Sequence, residues 1–331
     1  MSDRNFMDLL SSRWDEGKFV CVGLDSEWDR MPGERRDKWS PCYKGIEEGL
    51  FEFNKAIIDA TADLVCAYKP NLAFYLRWGD LGINALRETV RYILGLQPEI
   101  PVVLDAKDAD IGNTNLGYVD FAFRRVTRYV ERVENGKKRT VTLRGADAVT
   151  VHPYLGVEAM EPFLANPNKG VIVLCRTSNP GAGEFQDAEV DIGEKQAADW
   201  GLSRREVRIE HDTDLVTWPR MPLYQLVAHR VAKHWNYNGN CALVVGATYP
   251  DELAEVRKIV GDMPILIPGI GAQGGELEAT VLAGANDRGQ GMIINSSRGI
   301  IFASDGEDFA EAARAATQKL HDDITAVLTA A

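Results

Sequence analysis

The sequence predicts an α/β fold, a single (β/α)8 TIM barrel with enlarged loops, and three observations carry that reading. Eight short apolar runs recur along the 331 residues. Segments with helical spacing alternate with them, as a barrel of parallel strands requires. The ionisable and glycine-rich residues that could do chemistry stand at the C-terminal ends of the runs, spread from Asp25 to Arg298, so no cut leaves two independent halves. A doubly wound open sheet is the alternative, but its usual G-x-G-x-x-G does not follow the first run, which continues GLDSEWD.

In order, the runs are FVCVGLD (19–25), LVCAYKPN (64–71), PVVLDAK (101–107), ADAVTVHP (146–153), GVIVLCRTS (170–178), CALVVGA (241–247), PILIPGIG (264–271) and GMIINSSRG (291–299). They are continuously apolar rather than alternating, because a barrel strand is covered by helices outside and packed with side chains inside. Spacing predicts helices over 47–63, 81–95, 222–236, 251–261 and 305–331, the last with acids in its first turn, where the helix dipole favours them. Three connections exceed the minimum, at 26–46, 120–145 and 183–221, and Asn135-Gly136 offers a tight hairpin turn within the second. Strand-to-helix loops of a barrel lie on its catalytic face, so these inserts are expected at the rim or at an interface of one domain spanning 1–331.

Lys and Arg number 37 against 49 Asp and Glu, a net charge of −12, and 45% of the residues are hydrophobic. The acidic total argues against general nucleic-acid binding, and the basic stretch 120–144, with eight Lys/Arg against three acids, reads as one amphipathic patch. The apolar runs are far shorter than the roughly 20 residues of a membrane span. The N-terminus carries acids through its apolar part and lacks a small-residue cleavage site, so a cytoplasmic protein that engages no membrane is expected. Cys21, Cys42, Cys66, Cys175 and Cys241 form no C-x-x-C pair and read as buried thiols in a reducing compartment. His152, His211, His229, His234 and His321 show no ligand spacing, so no metal is expected, and His229 and His234 read as surface helix positions. No G-x-S-x-G nucleophile elbow occurs.

The densest chemistry lies in VVLDAKDADIGNTN (102–115). Asp105 and Lys107 are two apart on a strand, so both project to one side, at the barrel mouth, with Asp108 and Asp110 following. Asp25 closes the first strand and Lys69 the second, so neighbouring strands would deliver an alternating array of carboxylates and ammoniums. Within it the carboxylates favour the charged lysines more than burial opposes them. A solvated, self-compensating loop, or a structural salt-bridge lattice under the rim, would use the same residues. The glycine-rich turn IPGIGAQGGEL (267–277) after the seventh strand and Ser296, Ser297 and Arg298 after the eighth fit the phosphate site of this fold, where backbone N–H groups meet the anion and an arginine pairs with it. LCRTSNPGAG (174–183) suits hydrogen bonding to a planar polar ring, and equally a plain turn around Pro180-Gly181.

Together these motifs resemble a known family. L-D-A-K-D-A-D-I-G-N-T at 104–114 resembles the D-x-K-x-x-D-I-x-x-T signature of orotidine 5′-phosphate decarboxylases. G-L-D at 23–25, K-P-N-x-A-F-Y at 69–75, R-T-S-N-P-G-A at 176–182, P-G-x-G-A-Q-G-G at 268–275 and S-S-R-G at 296–299 look like its bacterial type 2 branch. The resemblance implies cofactor-independent decarboxylation of orotidine 5′-phosphate to uridine 5′-phosphate in de novo pyrimidine biosynthesis. It makes Lys107 the electrostatic stabiliser and proton donor to C6, with Asp105, Lys69 and Asp110 as its catalytic companions. It also implies a homodimer in which Asp110 and Thr114 reach the partner's site and bind its ribose. Asp25 and Lys69 would hold ribose hydroxyls, and Ser178 the pyrimidine edge. Gln273 and Arg298 would grip the phosphate, with Asn71, Pro268, Gly274 and Ser297 as further substrate contacts and 268–275 closing as a lid. Two other readings stand beside it: an Mg²⁺-dependent barrel acting on sugar phosphates, and a non-catalytic phosphometabolite-binding protein, against which the intact Lys107 argues.

Overall fold

The computed structural model describes residues 4–32, 45–124, 126–134, 137–143, 145–202, 205–207, 215–217, 219–270 and 274–331. Eight parallel strands form the barrel: β1 (Val20–Leu24), β2 (Val65–Pro70), β3 (Val103–Asp108), β4 (Ala148–Val151), β5 (Gly170–Arg176), β6 (Cys241–Val245), β7 (Ile265–Pro268) and β8 (Met292–Ser296). Their spatial order is β2-β1-β8-β7-β6-β5-β4-β3. Single parallel bridges between Tyr68 and Val102 and between Asn71 and Asp105 bring β3 back to β2 and close the ring. All eight apolar runs of the sequence are therefore barrel strands, and β1, β2, β4 and β6 are buried along their whole length.

Helices follow the strands and cover them. Gly45–Thr61 follows β1, Gly79–Leu94 follows β2 after the short helix Leu72–Leu76, Thr114–Phe123 follows β3 and Val157–Leu164 follows β4. Leu223–Arg230, continued by the π-helical turn Val231–Trp235, precedes β6; Pro250–Val260 and Gly274–Gly284 follow β6 and β7, and Phe309–Ala330 ends the chain. That last helix docks on Gly45–Thr61, where Phe53 stacks with Phe309 and with Phe302 just before it, ring centroids 5.0 and 5.7 Å away. Offset aromatic pairs of this kind add about 1 kcal/mol beyond the area they bury.

The N-terminal residues form a helix that the spacing argument does not predict, Phe6–Asp15, with the Asn5 side chain accepting from Met7 N and Asp8 N at its cap. It plugs the end of the barrel where the strands begin. The Trp14 indole N–H donates to the Met292 carbonyl at 2.8 Å, and the Arg13 guanidinium donates to the Val65 carbonyl at 2.7 Å. Phe6, Leu10 and Trp14 are buried beneath it, each worth roughly 2 kcal/mol in apolar transfer.

The inserts lie on opposite ends, so the rim does not hold all three; for the 120–145 insert the rim half of the rim-or-interface expectation is corrected. A two-stranded antiparallel hairpin, Val126–Glu134 with Lys137–Leu143, follows the helix Thr114–Phe123 and directly precedes β4. It is a helix-to-strand connection and belongs to the barrel's N-terminal end, because only strand-to-helix loops reach the C-terminal face. Ala146 N donates to Ala122 O at 2.7 Å and pinches its base. Its turn residues Asn135 and Gly136 lie outside the described residues, as does most of 26–46, including Cys42. The 183–221 insert does leave the end of β5. Its strand Glu189–Asp191 pairs antiparallel with Arg220–Pro222, and Arg205–Val207 with Leu215–Thr217. A small second core of Ile192, Ala197, Trp200 and Met221 holds it together. Trp200 stacks on His229 with centroids 4.7 Å apart and donates to His234 at 3.1 Å. His229 is thus buried rather than a surface position, because the insert covers that face of its helix.

Cys21, Cys66, Cys175 and Cys241 are free and buried in β1, β2, β5 and β6. Among the described residues no helix is long and apolar enough to cross a membrane.

Candidate active site

The C-terminal ends of β1, β2 and β3 bring the predicted charges together. Lys69 closes β2 with 3% of its surface exposed, and its Nζ donates to Asp105 Oδ2 at 2.7 Å. Lys107 donates from Nζ to Asp105 Oδ1 at 2.5 Å, with its side chain half-exposed towards the barrel mouth. Asp105 therefore stands between two ammoniums, one sealed beneath it and one presented to the opening.

Electrostatics follow from that placement. Burial opposes the Lys69 charge, but Asp105 and then Asp25 outweigh it, and the pKa rises. For Asp105 burial pulls the other way and is again overcome, by Lys69 and then Lys107, so its carboxyl is held well below the usual carboxylate range. Asp25 is less well served: burial raises its pKa, with Lys69 opposing and Asp105 adding to the rise. Its Oδ1 has no hydrogen-bond partner among the described residues, and neither does Oδ1 of Asn295, which lies on β8 alongside Cys21 of β1.

The regular alternation that would put Asp105 and Lys107 on one side does not hold. Leu104 pairs with Val149 and Asp108 with Val151, so four residues of β3 advance against two of β4. The bulge places Lys107 at φ 57°, the left-handed region that a lysine rarely adopts. The two side chains meet because the bulge turns Lys107 back over Asp105. Thr150 of β4 accepts the Lys107 N–H at 3.0 Å and donates to Asp105 Oδ1 at 2.9 Å.

The neighbouring motifs have structural reasons. Gly23 is the closest approach of β1 to the loop after β8: a Cβ there would stand 1.9 Å from Ser297 Oγ. In K-P-N-x-A-F-Y, the Asn71 side chain caps the helix Leu72–Leu76 by accepting from Ala73 N at 3.3 Å. The Tyr75 hydroxyl donates to Leu24 O at 3.1 Å and accepts from the buried amide of Asn54 at 2.9 Å, which fixes the end of β1 beside Asp25.

On the other side of the mouth, Ser178 follows β5 and lies against Gly246, where a Cβ would come within 2.6 Å of the serine Cβ. The loop that carries it is clamped at both ends. The buried Arg176 pairs with Asp187 at 2.7 Å and lies 3.9 Å from the Tyr249 ring centroid, while Gln186 accepts from Thr177 N at 2.8 Å. Pro268 ends β7 next to β8, half-buried, and Ser297 with the exposed Arg298 opens the short helix Arg298–Ile301. Gly274 begins the helix Gly274–Gly284, whereas Gln273 lies outside the described residues.

Asp110 and Thr114 are not drawn into the array of their own chain. Asp110 Oδ1 accepts Ile111 N at 2.6 Å, its backbone is locked to the buried Asn115, and Thr114 is exposed at the start of its helix. Two residues that shape the site escape sequence reasoning: Thr150 and Asn295. Their one signal is a polar side chain inside an otherwise apolar strand.

The fold and this mouth define a class: a (β/α)8 barrel with a buried carboxylate held between two lysines at the C-terminal ends of neighbouring strands. The profile of the Orotidine 5′-phosphate decarboxylase / HUMPS family matches residues 18–315. A curated orotidine 5′-phosphate decarboxylase from Cellvibrio japonicus is 41% identical over 321 residues, covering 97% of this chain and 98% of its own. One from Cupriavidus metallidurans is 44% identical over 310 residues, covering 93% of each. The solved OMP decarboxylase of Leishmania donovani superposes with a TM-score of 0.70 at 33% identity, over 98% of this chain and 99% of that one. The chain belongs to the orotidine 5′-phosphate decarboxylase / HUMPS family.

Proposed function

We infer that this chain decarboxylates orotidine 5′-phosphate to uridine 5′-phosphate, a step of pyrimidine biosynthesis, using its own side chains and no cofactor. The observation that carries the reading is the Lys69–Asp105–Lys107 array at the ends of β2 and β3, buried at Lys69 and Asp105 and open to the mouth at Lys107, in a chain matched over nearly its full length by curated decarboxylases. Breaking the bond from C6 to the carboxylate releases CO₂ and leaves the electron pair on a ring carbon that cannot readily delocalise it. The Lys107 ammonium stabilises that pair and then delivers its proton to C6, leaving a neutral amine that solvent reprotonates. Asp105, placed near the substrate carboxylate, disfavours the bound ground state.

The remaining residues bind and orient. Asp25 and Lys69 hold ribose hydroxyls, and Ser178 meets the pyrimidine edge. Pro268, Gln273, Gly274, Ser297 and Arg298 receive the phosphate, with Asn71 at the β2 end. Binding energy gained at the phosphate, away from the reacting carbon, orders the array and so raises turnover. The working unit is a homodimer in which Asp110 and Thr114 enter the partner's site. Supporting this, Ile111, Leu116, Tyr154, Leu155 and Val157 expose apolar side chains around the loops after β3 and β4, on the same end as the array. One barrel domain carries all the inserts, and its free, buried thiols suit a reducing cytoplasm.

The test is the absorbance change of orotidine 5′-phosphate on conversion to uridine 5′-phosphate, with and without chelator. Turnover unchanged by chelator is expected. Loss of turnover with chelator would favour the metal-dependent sugar-phosphate class, and absence of turnover would favour a binding protein.

A further inference from the structure

We propose that Thr150 is a positioning residue for the reaction, one hydroxyl that sets both the backbone of Lys107 and the carboxylate of Asp105. The proposal rests on the reading that Lys107 delivers the proton.

Thr150 lies in β4 between Val149 and Val151 and is 1% exposed. Its side chain points into the barrel, where its Oγ1 donates to Asp105 Oδ1 at 2.9 Å and accepts the Lys107 N–H at 3.0 Å. A hydroxyl has one hydrogen to give, so the two bonds fix its orientation.

The bulge makes that hydroxyl necessary. Four residues of β3 advance against two of β4 between the Leu104–Val149 and Asp108–Val151 pairs, so the N–H of Lys107 falls outside the regular ladder. Thr150 supplies the acceptor that the strand does not. Among the described residues Lys107 is the single non-glycine residue with positive φ, a conformation that persists only where the surroundings over-determine it. Asp105 Oδ1 receives both the Thr150 hydroxyl and Lys107 Nζ, while Oδ2 receives Lys69 Nζ. The hydroxyl is the one neutral donor in that set, and its direction is fixed by β4 rather than by a flexible lysine chain. Removing it leaves a backbone N–H unpaired in the bulge and lets the carboxylate turn with its lysines.

Thr150→Val keeps the shape and removes both bonds; Thr150→Ser keeps both bonds and removes the methyl. With Lys107→Ala as the reference, kcat and KM for orotidine 5′-phosphate are measured for all three, and folding is followed by thermal melting. The expectation is a fall in kcat of about 10- to 100-fold for Thr150→Val, KM within about threefold of wild type, and Thr150→Ser within about threefold in both, the range of a displaced proton donor. A normal kcat for Thr150→Val, a loss confined to KM, or a Thr150→Ser as impaired as Thr150→Val would overturn the proposal. If Thr150→Val does not fold, Thr150→Ala against Thr150→Ser decides in the same way. An active Lys107→Ala removes the underlying reading and this proposal with it, whereas an inactive Lys107→Ala beside a normal Thr150→Val removes the proposal alone.

Discussion

Asp25 is the least well compensated charge at the barrel mouth. Its carboxylate is largely buried, its pKa is raised by burial, and one oxygen lacks a partner among the described residues. A group whose folded-state pKa lies above its unfolded value destabilises the fold at neutral pH, where it is ionised in both states. Asp25→Asn removes that charge in a side chain of nearly the same shape. The expected outcome is a Tm higher by about 2 °C together with substrate affinity reduced about 10-fold or more, read by calorimetry and by steady-state KM. A lower Tm with unchanged affinity would mean that Asp25 serves the fold and not the ligand. Asp105 presents the opposite balance, since its two lysines more than compensate its burial.

At the scale of the element, the segment from β3 into the helix Thr114–Phe123 falls into two structurally separate parts. Asp105 and Lys107 serve the mouth of their own barrel, while Asp110 and Thr114 stand apart from it on an exposed, partly apolar loop. If the proposed homodimer shares its sites, mixing Asp110→Ala with Lys107→Ala subunits should create one intact site per hybrid dimer and restore turnover to mixtures of two inactive variants. No recovery despite demonstrated subunit exchange would place both residues in the same site. The strands of this element series were legible because a parallel barrel strand must be apolar on both faces, and the site charges because ionisable residues rarely close such a run. The bulge in β3 was not legible: strict alternation gives the right neighbours for Asp105 and Lys107 by the wrong route, since register depends on the partner strand β4. The N-terminal helix was also hidden, because its amphipathic face is matched to the barrel's open end and not to a neighbouring helix. That the hairpin Val126–Glu134 with Lys137–Leu143 sits away from the catalytic rim was not legible, because its position depends on where the preceding helix stops, and sequence spacing leaves that open.

Across the whole molecule the net charge is −12, yet at the mouth two lysines share one carboxylate. Breaking a buried pair of this kind by removing one partner costs about 3–5 kcal/mol, so the array contributes to stability only while it is complete. The pH dependence has a definite sign. Asp105 has a depressed folded-state pKa, so its contribution is present above about pH 4, its unfolded value, and is lost as pH falls through the folded one. Lys69 has a raised folded-state pKa, so its contribution is present below about pH 10 and is lost as pH rises through the folded value. Asp105→Asn should thus be less stable than wild type at pH 7, with the gap narrowing below about pH 4 in denaturant titrations. A gap that stays constant down to pH 3 would show that the ion pairs do not set it.

The proposed reaction turns on the Lys107 ammonium, held over Asp105, as proton donor to C6. The most direct measurement is the single-turnover rate of orotidine 5′-phosphate decarboxylation by Lys107→Ala beside wild type, with uridine 5′-phosphate binding measured on the same samples. The expected rate is lower by about 10⁴-fold or more, the combined scale of proton donation and electrostatic stabilisation, with product affinity changed far less. A Lys107→Ala enzyme that decarboxylates at close to the wild-type rate would contradict it.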